Sequence, residues 1–130
     1  MHELRRFLTS IDRIPLHVGG ESGSHWIHKL LNGHPQLCKR QLRVDKHIFI
    51  NLVTTLMEKQ LLSDGRFVLA AEQVGICLYI LVKADSYRDA ADRFQHSIST
   101  IFKYNRRVIR ALVELSKDII RPYQSLDEIP

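Results

Sequence analysis

The chain has 130 residues, of which 45% are hydrophobic and 25% charged, with a formal net charge of +5 and a pI near 9.5. That length is one domain's worth, enough to bury a core without staples, and the composition is that of a globular rather than a disordered chain. A basic surplus of this size is compatible with a polyanionic partner but does not establish one, because many basic domains bind no nucleic acid.

In chain order, residues 1–24 read as an N-terminal arm. Leu4, Phe7, Leu8 and Ile11 have helical spacing and predict a short helix, which Pro15 and the stretch Gly19 to Ser24 interrupt. Ser24 or Ser22 then caps a helix in which Trp26, Ile27, Leu30 and Leu31 share a face. Gly33 offers it a left-handed cap and Pro35 forbids continuation. A stronger helix follows Asp45, a good N-cap, with Ile48, Phe49, Leu52, Val53, Leu56 and Met57 recurring at three and four residues. Ser63-Asp64-Gly65 is a loop. Residues 70–83 form the most apolar helix, with Val74, Cys77, Leu78 and Leu81 facing inward, ended by Lys83-Ala84-Asp85. Ser86 caps a short helix from Tyr87 to Phe94, whose apolar face is Ala90, Ala91 and Phe94. Gln95-His96-Ser97 connects it to a long helix from Ile98 to about Ile120. On that helix Ile101, Phe102, Val108, Ile109, Leu112, Leu115 and Ile119 form the buried side, Pro122 stops it, and residues 122–130 read as a linker. No stretch alternates with period two long enough to be a strand. The expected fold is all-α, a compact bundle of about five helices over residues 25–121 that contains a helix-turn-helix.

The last third carries the functional expectation. A short helix, a tight turn and a longer helix are the layout of a helix-turn-helix. Small Ala90 and Ala91 let the two axes approach, Ile101 fills the space beside Ala90 and Phe94, and the first turn of the longer helix is pushed outward towards a major groove. The expected DNA contacts on the longer helix and its cap are Ser97, Ser99, Thr100, Lys103, Tyr104, Arg106, Arg107 and Arg110, joined by Arg88 on the shorter one. Hydroxyls hydrogen-bond to bases or phosphates, and Lys and Arg pair with phosphate or guanine. Residues 86–121 hold eight basic side chains against four acidic ones, so nearly all of the excess positive charge lies here. The competing reading is a merely solvated basic face.

Several strings along the chain resemble one family. Ser22-Gly23-Ser24-His25-Trp26-Ile27-His28-Lys29-Leu30-Leu31-Asn32-Gly33-His34-Pro35 is similar to the opening of PIF/Harbinger transposases and of proteins domesticated from them. Residues 42–49, 72–81, 93–101 and the Ile119-Ile120-Arg121-Pro122 ending follow in the family's order. The resemblance implies a nuclear protein of transposon origin, in which this segment is an N-terminal helical domain preceding a DDE-type nuclease domain. It implies that the module assists DNA binding or contacts a Myb-like or chromatin partner, and that residues 122–130 lead to the nuclease domain. The family's catalytic carboxylates belong to that downstream domain, no position here matches them, and no enzyme activity is expected of this chain.

Other chemistry is poorly supported. His25 and His28 form an HxxH step with His34 nearby, but no cysteine or carboxylate partners stand at matching spacing, so no metal is expected. The Gly19 to Gly23 stretch fits neither phosphate-binding glycine pattern, and no cofactor is expected. Cys38 and Cys77 form no CxxC pair, which suggests buried, reduced thiols of an intracellular protein, although one bridge between them is left open. Cys77 sits in the most apolar helix, where a thiolate is disfavoured. Met1 to Arg6 lacks the long apolar stretch of a secretory signal, and the longest apolar run, Val74 to Val82, is half the roughly 18 residues of a membrane span, so no membrane partner is expected. The alternative function is a protein-interaction domain, including self-association as a homodimer.

Overall fold

The computed structural model describes residues 22–84 and 86–127, with side chains as far as Ile119. The predicted N-terminal arm therefore lies, apart from Ser22 to Ser24, outside the described residues. Among these, every regular element is a helix: α1 (Gly23–Asn32), α2 (Leu37–Leu42), α3 (Lys46–Glu58), α4 (Ala70–Lys83), α5 (Tyr87–Phe94) and α6 (Ile98–Asp127). The described residues form an all-α bundle of six helices. The helix beyond the expected count is α2, whose six residues bury only Cys38 and Leu42, too few for a periodic signal.

The caps follow local chemistry. Ser22 Oγ accepts from the His25 N–H at 3.1 Å, and Asp45 Oδ1 accepts from the His47 N–H at 2.8 Å. Gly33 closes α1 by donating its N–H to the Lys29 carbonyl at 2.8 Å. Its φ of −86° is not left-handed, contrary to expectation. Glycine is needed there for another reason, since a Cβ would stand 2.7 Å from that carbonyl. Left-handed caps occur instead at Arg43, Ala84 and Gln95.

Helix α4 is the centre, and each of the other described helices packs against it. Its residues Ala70 to Cys77 are buried on all sides. The surrounding core includes Ile27, Phe49, Leu56, Phe94 and Ile101. Trp26, Tyr79 and Phe94 close this core at one end as three mutually edge-on rings, with centroids 5.4–5.8 Å apart. Such pairs contribute about 0.5–1.5 kcal/mol each beyond area burial. They tie α5 to α1 and α4 and so orient the corner that leads into α6.

Several inward assignments shift. Leu81 is 63% exposed, and Ile48 is also exposed, because each lies past the edge of the packed stripe on its helix. On α6 the buried stripe is Ile101, Tyr104, Asn105, Val108 and Ala111. Phe102 and Ile109 are each one residue on from a buried position, about 100° round the helix, and both are exposed. Ile119 is exposed too, one turn beyond the bundle's last packed layer, which ends at Leu115. The backbone of α6 stays helical through Asp127, so Pro122 does not end it. A proline inside a helix removes one i→i−4 hydrogen bond, which weakens or kinks the helix without obliging it to stop.

Candidate nucleic-acid interface

The corner between α5 and α6 is fastened from below. Ser86 Oγ accepts from the Asp89 N–H at 3.3 Å to start α5, and Gln95, left-handed at φ 57°, ends it. His96 follows, and its Nε2 pairs at 2.6 Å with Glu72, a fully buried carboxylate of α4 that also accepts from Ser24 Oγ at 2.8 Å. Ser97 then starts α6, its Oγ accepting from the Thr100 N–H at 3.2 Å. Ala90, Phe94 and Ile101 are fully buried beneath the corner. Asn105 Nδ2 donates to Tyr87 Oη at 3.1 Å, a second link between the two helices.

From this anchored start the outer side of α6 is laid out by the helical period. Ser99, Lys103, Arg106, Arg107 and Arg110 are all exposed, and Thr100 is half-buried. Lys103, Arg106, Arg107 and Arg110 line one shallow cavity of about 560 Å³. Its floor is the apolar surface of Leu61 and Ala111, with Glu114 at the edge. None of the four cations has a carboxylate partner among the described residues, and Glu114 is itself engaged by Lys117 at 3.0 Å. Arg106 lies 5.4 Å from the Phe102 ring centroid; Lys103 and Arg107 each lie 5.2 Å from that of Tyr104. These cation–π contacts pre-orient flexible side chains without neutralising them.

Four expected contacts stand differently. Tyr104 is not an open side chain: it is 6% exposed and belongs to the buried stripe, so it supports cations rather than presenting its ring. Arg88 is exposed on α5 but lines neither this cavity nor the neighbouring one. Ser97 and Ser99 are exposed and bonded to each other at 3.2 Å, outside both cavities.

The structure adds residues that periodicity could not reveal. A second cleft, of about 550 Å³, opens between the start of α6 and the segment joining α3 to α4. Thr100, Lys103 and Arg107 form one wall, and Arg66 and Phe67 the other, with His96 beside them. Phe67 is 77% exposed, with the Arg66 guanidinium 5.1 Å from its ring centroid. The available sequence signal was a basic–aromatic dipeptide directly after the Ser63-Asp64-Gly65 turn.

Elsewhere, Cys38 and Cys77 are free and buried. Burial pushes both thiols up to about 11, helped at Cys38 by the Asp45 carboxylate. Neither is a competent nucleophile near neutrality. Among the described residues no group of three or more His, Cys, Asp or Glu side chains could hold a metal ion, and no helix is long and apolar enough to cross a membrane.

Residues 20–114, well over half of the chain, match the profile of a family described as a domain of unknown function, DUF8040. No curated protein and no solved structure matches the chain.

Proposed function

The chain belongs to the DUF8040 family, and we propose that its helical module is a non-catalytic DNA-binding unit that lays the basic face of α6 against the duplex. The observation that carries this reading is the row Lys103, Arg106, Arg107 and Arg110, four cations within two turns that have no carboxylate partner among the described residues. Like charges this close repel one another, and a polyanion relieves the repulsion while its counterions are released. Guanidinium groups also suit phosphate and guanine edges, where they bind bidentately. The resemblance to Harbinger transposases supplies the setting: a nuclear, transposase-derived protein whose module assists recognition of transposon or chromosomal DNA, catalysis being the task of another domain.

The test is a salt-titrated anisotropy measurement with a random duplex and with a candidate transposon end. Four phosphate contacts predict a slope of about −3.6 in log affinity against log salt, or about a 150-fold loss between 50 and 200 mM. Lys103→Glu with Arg107→Glu is expected to abolish binding. Unchanged affinity in that variant places the contact on another face.

A second reading draws on a different observation. Ile98, Phe102, Ile109 and Val113 are all exposed and recur at four and seven residues, forming an apolar stripe beside the basic row. Such a stripe suits a protein partner, whether Myb-like, chromatin-associated or a second copy of this chain. Dimerisation or a tight partner complex, with no duplex affinity at physiological salt, would favour it over the first.

A further inference from the structure

We propose that the cleft between residues 63–69 and the start of α6 is a subsite for one unpaired nucleotide, its base stacked on Phe67 and its phosphate held by Lys103 and Arg107. The inference rests on the nucleic-acid reading and deepens it.

A single exposed phenylalanine means little, because much of any protein surface is apolar. Phe67 differs in being held out. Its neighbour Val68 is buried, as is Leu62 at the other side of the turn. The Gly65 N–H donates to the Val68 carbonyl at 2.9 Å, and Asp64 Oδ1 accepts from the Ala70 N–H at 2.8 Å. From inside the core, Gln73 Nε2 donates to the Ser63 carbonyl at 3.0 Å and to the Val68 carbonyl at 2.8 Å. A segment with no regular structure of its own is thereby tied at both ends, and its aromatic tip cannot fold inward without breaking these bonds. Rigid presentation lowers the ordering entropy lost on binding.

What faces this tip sets the ligand. Across the cleft stand Lys103 and Arg107, and Arg66 lies over the Phe67 ring itself. No carboxylate lines the cleft; the nearby Glu72 is fully buried and already paired with His96. An exposed aromatic plane flanked by cations is the combination that binds a base by its π-face and a backbone by its phosphate. An acidic peptide would satisfy the cations and leave the ring without a planar partner. In perfect duplex the base faces are covered by their neighbours, so Phe67 gains a partner only where a base is unstacked, at a bulge, an end or a single strand.

The experiment compares the 130-residue chain with Phe67→Ala on two duplexes, one perfect and one carrying a single bulged 2-aminopurine. The 77% exposure of Phe67 makes this variant an innocuous one for folding, checked by thermal melting. The expected result is bulged duplex bound about tenfold more tightly than perfect duplex by the wild type, the share of one stacked base. Phe67→Ala should bind both duplexes alike with an unchanged salt slope, and at saturation its 2-aminopurine should be brighter than with the wild type. Equal wild-type affinity for both duplexes, or equal probe fluorescence with wild type and variant, overturns the subsite and leaves duplex binding standing. No binding of either duplex removes the nucleic-acid reading and the subsite with it.

Discussion

Glu72→Ala is the perturbation that probes how the α5–α6 corner is held. The carboxylate is fully buried, accepts from Ser24 Oγ at 2.8 Å and pairs with His96 Nε2 at 2.6 Å. Hydrogen bonds to a charged group contribute about 1.5–3 kcal/mol each, so the two together bring about 3–6 kcal/mol. Two effects reduce the net loss. Burying the carboxylate is itself unfavourable, and the released Ser24 and His96 are both part-exposed and turn to water. The balance is a destabilisation of about 3 kcal/mol, a large share of the roughly 5–15 kcal/mol that holds a domain folded. An unfolding entropy of about 2.1 cal/mol/K per residue converts this, over the whole chain, to a melting midpoint lowered by about 11 °C. Glu72→Gln keeps the shape and one acceptor and should fall about midway between wild type and Glu72→Ala. Circular dichroism melts at neutral pH read the result directly. A midpoint for Glu72→Ala within about 3 °C of wild type, under about 1 kcal/mol, would refute the idea that this carboxylate fastens the corner.

Gly65→Ala should lower stability in denaturant melts by about 1–3 kcal/mol, the usual range for overpacking. The added Cβ collides with the Tyr104 hydroxyl, whose ring is locked in the core, and stands 3.0 Å from the Val68 carbonyl. The two cysteines give a pH test. Both folded thiols are raised from 9.0 to about 11, so their contribution to stability is complete below pH 9 and is lost as pH rises towards 11. Unfolding free energy should therefore decline over that window in wild type and decline less in the Cys38→Ala, Cys77→Ala double variant. At pH 8 neither thiol should react with a disulfide reagent until denaturant is added.

How much was legible in advance depended on whether the signal was local. Ser86, Ser97 and Asp45 announced their helices because a capping side chain acts on a backbone N–H two or three residues away. The α5–α6 layout and the basic row on α6 were readable for the same reason, since a single helix period determines both. The angular phase of α6 was not. Phe102 and Ile109 look as apolar as Ile101 and Val108, and only the position of α4 decides which pair is covered. Tyr104 went to the core because Gly65 leaves room for its hydroxyl, a contact across 39 residues of chain. Arg66 and Phe67 belong to a segment with no period at all. Gln73, which holds that segment through Ser63 and Val68, and Lys103 and Arg107, which face it across the cleft, are brought there by the tertiary fold alone.

Glu72 and Gln73 are consecutive residues on one turn of α4, yet they reach to opposite banks of the second cleft. Glu72 grips His96 at the root of α6, while Gln73 grips the carbonyls of Ser63 and Val68. The gap separating Phe67 from Lys103 is thus gauged by a single peptide unit in the fully buried stretch of α4. Substitutions at these two inward positions should consequently act as spacing mutations, altering what the opening admits by releasing His96 or Val68 while Phe67, Lys103 and Arg107 stay in place.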